Sequence, residues 1–526
     1  MLCSRYFVMR LSRKARRKAA PHKKKRWRQK EEALLEQAYT LHRQGRIAEA
    51  AEVYESFLAR HPRHGEALGN FALLHHSQGR VDRAVALYEQ AVQASPRLHH
   101  LYYHLGNGLR QLGRPQQAIV AYEGALAHGA ADKSIQLALA LARIEAGQRA
   151  RARTSLEEIV QRQPTDSEAR YQLGLLLFEE QEYEAARAAF DQVLAVQPDY
   201  VDACFNLALC YKALRQPAQA LTALNEAARL DCRDADILYN IGVLHREQGN
   251  VAAAEQAFLQ ALDLDARNGI CLTDLAILYH AEDRLEEAVA MYERALECGY
   301  QPDSARHMLA ALRGETTGAA PLEHVRHLFD NYADTFDASL VDDLHYRVPE
   351  QLAECFRQRR GEAGPAAAGL DLGCGTGLAG RAFQGMVRRF VGVDLSERML
   401  LQAAARGVYD EVHCADIIAF MQGNAALYDL ILATDVFVYL GALHDFFRQV
   451  ETLLAPGGSL LFSVESCSRG YCLRQSGRYA HAPDYIADLL AGHGLAVQHR
   501  QATGIRKERG EWIPGEIYMV RRVSGA

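Results

Sequence analysis

The chain has 526 residues, 49% of them hydrophobic and 24% charged, with a formal net charge of −5. That length divides into several cores, and the composition is that of a globular protein, neither low-complexity nor fibrous. No apolar run approaches the roughly 20 residues that cross a bilayer, and the eleven cysteines never fall in a Cys-x-x-Cys pair. Membrane spans, a disulfide framework and a metal site are therefore not expected, and the expected location is cytoplasmic.

Residues 1–30 carry thirteen Lys/Arg and no Asp/Glu, which leaves −18 on the rest. They read as a basic, disordered N-terminal arm, the one stretch through which nucleic acid would be held. Tyr6-Phe7-Val8-Met9 is too short for a secretory apolar core.

From Glu31 the sequence repeats every 34 residues for eight units, to Pro302. The eighth position is always small: Ala38, Ala72, Gly106, Ala140, Gly174, Ala208, Gly242, Ala276. The twentieth is always alanine, from Ala50 to Ala288, and four residues on stands a bulky apolar group such as Tyr54, Phe190 or Tyr292. Small residues let paired helices approach, the large one fills the space between hairpins, and a closing proline (Pro62, Pro96, Pro164, Pro198) stops the second helix. The pattern resembles the tetratricopeptide repeat. That resemblance implies a helical superhelix over residues 31–313, closed by a capping helix at Asp303–Arg313, with a groove that binds a protein or peptide. It also implies that Asn70, Asn206 and Asn240, at the sixth position of their units, face the groove. Residues 314–321 read as a linker, and 322–526 as a second domain.

In that domain two short helices are expected between Val325 and Pro349. Then Gly369-Leu370-Asp371-Leu372-Gly373-Cys374-Gly375-Thr376-Gly377 reads as a buried strand turning into a helix, with glycines that let the backbone approach a ligand. Phe390–Asp394, Val412–Asp416, Tyr428–Asp435 and Ser459–Val464 supply further strands, Pro456-Gly457-Gly458 a turn, and Val497 onward with Ile517–Val523 a terminal hairpin. Strands alternating with helices predict an α/β doubly wound, Rossmann-like sheet with its ligand at the strands' carboxyl ends. Asp394, ending the second strand, can accept both hydroxyls of a ribose, and Asp416 an adenine amino group. The same glycines formally satisfy a nicotinamide-dinucleotide fingerprint. Asp371 inside the strand argues instead for a zwitterionic, sulfonium-bearing ligand.

Asp371-x-Gly373-x-Gly375-x-Gly377, Asp394, Asp416 and Pro456-Gly457-Gly458 together resemble a class I S-adenosylmethionine-dependent methyltransferase. The whole chain is similar to bacterial fusions of tetratricopeptide repeats to such a domain, with Leu328-Phe329-Asp330-x-Tyr332-Ala333 as entry segment. The resemblance implies that Asp371, Gly373, Gly375 and Gly377 line the methionine end of S-adenosyl-L-methionine and that Asp394 holds the ribose. It places Leu395, Asp416 and Ile417 around the adenine, Asp435 below the sulfonium, and Tyr332 as the closing residue. On the substrate side, His481 is a candidate base near neutral pH, Arg478 a grip for carboxylate or phosphate, and Tyr439 a residue that reaches the acceptor. The function expected is methyl transfer to a small-molecule or protein acceptor, with the repeats recruiting a partner. The alternatives are a scaffold that binds cofactor without turnover and a nicotinamide-dinucleotide enzyme.

Overall fold

The structure, a computed structural model, describes residues 22–129, 132–333, 336–361, 364–508 and 510–523. The described chain falls into two compact units, one ending at Ile237 and the other beginning at Leu238. Residues 1–21 of the basic arm lie outside the described residues. From His22 the chain is helical through Arg43, so the reading of all thirty residues as disordered is corrected for the last nine.

In the first unit each repeat is a helical hairpin, from His22–Arg43 with Ile47–Leu58 to Val201–Ala213 with Pro217–Leu230. The eighth and twenty-fourth positions explain one another. A methyl group added to Gly174 would lie 2.7 Å from the Phe190 ring, and one on Gly106 2.5 Å from Tyr122. The ring occupies the space that a side chain on the facing helix would need, while Ala50, Ala84, Ala118, Ala152, Ala186 and Ala220 are fully buried beside it. Each hairpin turns through a residue in the left-handed region at the fifteenth position: Gly45, Gly79, Gly113 and Gly147, then Gln181 (φ 63°) and Arg215 (φ 57°). Asn70 does not face a groove: it is fully buried and donates to the Glu66 carbonyl of its own helix. Asn206 donates to the Tyr171 hydroxyl and the Asp202 carbonyl.

The second unit begins inside helix Ala235–Glu247 and contains the seventh and eighth repeats, the capping helix Pro302–Arg313, the entry helix Leu322–Tyr332 and the sheet. Seven strands form that sheet: β1 (Ala366–Leu372), β2 (Val387–Asp394), β3 (Glu411–Cys414), β4 (Tyr428–Ala433), β5 (Leu454–Glu465) and, after a separate two-stranded hairpin of β6 (Tyr471–Leu473) and β7 (Tyr479–His481), the terminal pair β8 (Leu495–Glu508) and β9 (Glu511–Arg522). Their order is β3-β2-β1-β4-β5-β9-β8, parallel except where β9 pairs with β5 and β8. Alternation sorts the side chains. Leu370, Leu372, Ile431 and Phe462 pack with helices His444–Leu453 and Pro483–Gly492 on one face, and Leu430, Leu432, Leu461 and Met519 with helix Val348–Arg360 on the other. The strand order reverses between β1 and β4, which opens a crevice at their carboxyl ends.

The stretch 314–321 is tied down along its length. Ala320 N–H donates to the Tyr439 carbonyl, and Gly441 and Ala442 both donate to the Gly318 carbonyl. Composition marks it as a linker, but its backbone is paired as a short strand would be.

Candidate functional site

At the carboxyl end of β1 the chain turns through Gly373 (φ 72°), Gly375 (φ 53°) and Gly377 (φ 92°), a left-handed series that L side chains resist. A methyl group on Gly375 would meet nothing nearer than Phe336 at 3.9 Å, so it would project into the space the turn encloses. That space is a cavity of about 490 Å³. β2 delivers Asp394 to it, with one carboxyl oxygen accepting from Gly375 N–H (2.8 Å) and the other from Ser396 N–H (2.9 Å). Burial raises the Asp394 pKa against the pull of those amides. Leu395, Asp416 and Ile417 continue the wall, Asp416 also capping helix Ile417–Gln422 through Ala419 N–H (2.9 Å). Phe329, Tyr332 and Phe336 close it from the entry segment. That segment is fastened by Asp330 to Ser396 (2.5 Å), by Asp337 to Thr376 (2.5 Å) and by Asp337 to Arg406.

Asp371 stands elsewhere. Its side chain falls on the face of β1 opposite Leu370 and Leu372, and it is not among the residues that border the cavity. It is fully buried, accepts from the Tyr409 hydroxyl (2.6 Å), and has no partner for Oδ1 among the described residues. Burial pushes its pKa up to about 7. Gly377 is likewise absent from the wall and caps helix Leu378–Ala382. Of the four residues expected at the methionine end, Gly373 and Gly375 border the cavity and Asp371 and Gly377 do not.

The other end of the cavity is a charged cluster. Asp435, held at a positive φ of 56° after β4, accepts from Arg478 (2.8 Å). Glu465, ending β5, accepts from Arg478 (3.0 Å) and from Arg506 of β8 (2.8 Å). Arg506 also lies 3.8 Å from Asp435. Arg478 donates to the Tyr439 hydroxyl as well (3.2 Å). Burial works against the charge of Arg478, yet Asp435, Tyr439 and Glu465 outweigh it and raise its pKa. Arg478, Arg506, Asp435 and Tyr439 all line the cavity. The sequence left Arg506 and Glu465 unremarked. Glu465 follows an apolar run to a strand end as Asp394 does, the same signal, whereas one arginine in a long strand carries none.

His481 is corrected outright. It is 1% exposed, absent from the wall, and donates to the Gly441 carbonyl (3.1 Å). Burial lowers its pKa to about 4, so the ring stays neutral near pH 7, and its one N–H is committed to Gly441 away from the cavity. The imidazole that does line the cavity, His324, is pushed to about 4 by burial and by His307 and His327.

Among the described residues no group of three or more His, Cys, Asp or Glu is placed to hold a metal ion, and no helix is long and apolar enough to cross a membrane.

Sequence families match three parts of the chain. A tetratricopeptide repeat family covers residues 35–98, the cilia and flagella-associated protein 70 C-terminal domain covers 121–326, and a methyltransferase domain covers 370–460. Malonyl-[acyl-carrier protein] O-methyltransferase of Priestia megaterium is 31% identical over 145 residues, which are 26% of this chain and 49% of that protein. The chain spans about half the length of the curated relatives it matches first. Among solved structures, YrrB, a TPR protein with an unusual peptide-binding site, aligns at 25% identity and a TM-score of 0.32 over 36% of this chain and 98% of its own. The N-methyltransferase NodS from Bradyrhizobium japonicum WM9 in complex with S-adenosyl-l-homocysteine aligns at 21% and 0.32 over 38% of this chain and 97% of its own.

Proposed function

The chain joins tetratricopeptide repeats to a methyltransferase domain, and from that premise we propose that it moves a methyl group from S-adenosylmethionine to a carboxylate oxygen of an acidic acceptor, in the cytoplasm. The observation that carries this reading is the pair of guanidiniums, Arg478 and Arg506, in the same cavity wall as Asp394 and the glycine turn.

The residues present fit the cofactor. A side chain at Gly375 would fill the cradle, and Asp394 offers carboxylate lone pairs beyond the two used by backbone amides, as a ribose diol requires. Gly373 and Gly375 would admit the methionine end, Leu395, Asp416 and Ile417 the adenine, and Asp435 and Tyr332 would enclose the remainder. When bound, the cofactor supplies a methyl group activated by a sulfonium centre.

The chain's own work is to hold the nucleophile in line and keep water out. Arg478 carries five N–H donors, of which Glu465, Tyr439 and Asp435 take three, leaving two for an acceptor oxygen. A carboxylate arrives without a proton to shed, so no base is needed. That agrees with a wall whose imidazole has its pKa near 4 and with the burial of His481. The curated relatives act, by name, on malonyl groups carried by a protein, which supports the same acceptor class. The repeats would then recruit the protein that carries or delivers the acid.

Incubating the full chain with methyl-tritiated cofactor and cell extract tests this reading. An ester releases volatile methanol in alkali; a methylamine or ether does not. Alkali-labile label that falls at least tenfold in Arg478→Met is expected, and alkali-stable label refutes the carboxylate acceptor. Asp394→Ala should weaken S-adenosylhomocysteine binding well beyond tenfold by calorimetry, because it strands the ribose hydroxyls. Wild-type affinity in that variant contradicts the cofactor assignment.

A further inference from the structure

We infer that His307, on the capping helix Pro302–Arg313, is a positioning residue for Arg478, so that the acceptor side of the cavity is assembled by the end of the repeat array. The inference rests on the reading of Arg478 as the acceptor's grip.

The contact is specific. His307 is 3% exposed, and its Nε2 lies 2.9 Å from the carbonyl oxygen of Gly477. A carbonyl only accepts, so Nε2 carries the proton. That oxygen belongs to the peptide unit from which Arg478 departs. The turn around it is tight: Gly477 N–H donates to the Arg474 carbonyl (2.9 Å), and Arg474 N–H to the Arg478 carbonyl (2.8 Å). Gly477 has a φ of 77°, and a methyl group there would come within 2.9 Å of the Met308 sulfur. The turn is pressed against the helix with no space between.

Neighbouring contacts hold the same two elements together. Ala310 and Ala311 of the capping helix pack in one cluster with Leu473 and Tyr479 of the β6–β7 hairpin. The Thr317 and Tyr479 hydroxyls are bonded, and Leu473 N–H donates to the Thr316 hydroxyl (3.4 Å). His307 supplies the hydrogen bond to the turn that carries Arg478, with Met308 packed beside it, whereas these other contacts grip the strands. Arg478 then meets three partners at once in the cavity wall. Such an arrangement tolerates little error in where its backbone starts.

The test uses the full chain and three variants. His307→Ala removes the donor, Gly477→Ala pushes the turn off the helix from its other side, and His307→Gln restores an N–H at similar reach. Hydrogen exchange of the 474–478 amides should quicken about tenfold in the two alanine variants and return toward wild type in His307→Gln. With the chain saturated by S-adenosylhomocysteine, malonate should bind about tenfold more weakly to both alanine variants, while affinity for the nucleoside stays within twofold. Unchanged exchange in both alanine variants overturns the inference, as does faster exchange with unaltered malonate affinity. If the wild-type chain ignores malonate, the acidic-acceptor reading falls by itself, and exchange alone decides whether His307 holds the turn.

Discussion

The hydroxyl of Tyr409 lies 2.6 Å from one carboxyl oxygen of Asp371, and it also accepts from Gly380 N–H at 3.1 Å. The tyrosine thereby ties the glycine turn's helix to a carboxyl group whose second oxygen has no partner among the described residues.

That carboxyl gives the domain a pH dependence of definite sign. Burial raises the Asp371 pKa from 3.8 to about 7, so the folded state binds the proton more tightly than the unfolded one. The stabilisation is full below about 4 and lost as pH rises through about 7. Asp371→Asn, which cannot ionise, should therefore gain on the wild type between pH 5 and pH 8, by on the order of a few kcal/mol at the upper end. Urea midpoints at the two pH values measure it. A gap that stays constant would show that the carboxyl is already ionised in the fold.

His481 predicts the opposite slope. Its pKa is lowered from 6.5 to about 4 by burial, so its stabilisation is present above 6.5 and drains away as pH falls toward 4. His481→Gln keeps a donor for the Gly441 carbonyl and does not titrate. Between pH 7 and pH 5 it should lose about 2 kcal/mol less stability than the wild type, with methyl transfer within about threefold. A tenfold fall in turnover at unchanged stability would restore the histidine to catalysis.

The fifteenth position of the repeats yields a third expectation. Gln181 and Arg215 occupy left-handed backbone that glycine fills in Gly147 and Gly113. Gln181→Gly should stabilise the first unit by about 1 kcal/mol, and Gly147→Gln should cost a similar amount. Thermal melts of the two variants that shift in the same direction would contradict the assignment of the turn.

These residues show what was legible beforehand. Ala50 through Ala288 mark the repeat because every copy faces the same constraint, and 34-residue spacing exposes it without any structure. Asp394 and Asp435 stand out in the sequence because each follows an apolar run, where a strand must release its chain at the sheet's edge. Asp371 is different, because its place in the strand does not reveal that its carboxyl meets the Tyr409 hydroxyl from 38 residues away. His481 sits in a loop by composition, yet two short strands fold it inward, and hairpins of three residues leave no periodic trace. Arg506, Glu465 and His307 meet only through pairings between residues far apart in the chain, which no local pattern encodes.

The backbone bonds joining Gly318 and Ala320 to Tyr439, Gly441 and Ala442 bear on how such a polypeptide is inherited. A crossover placed at the Gly- and Ala-rich stretch would look harmless in a gene, but it would separate donors from acceptors and His307 from its carbonyl. Recombination that swaps one array for another must therefore carry the capping helix along with the sheet, and array lengths should vary among descendants upstream of Pro302 rather than beside it.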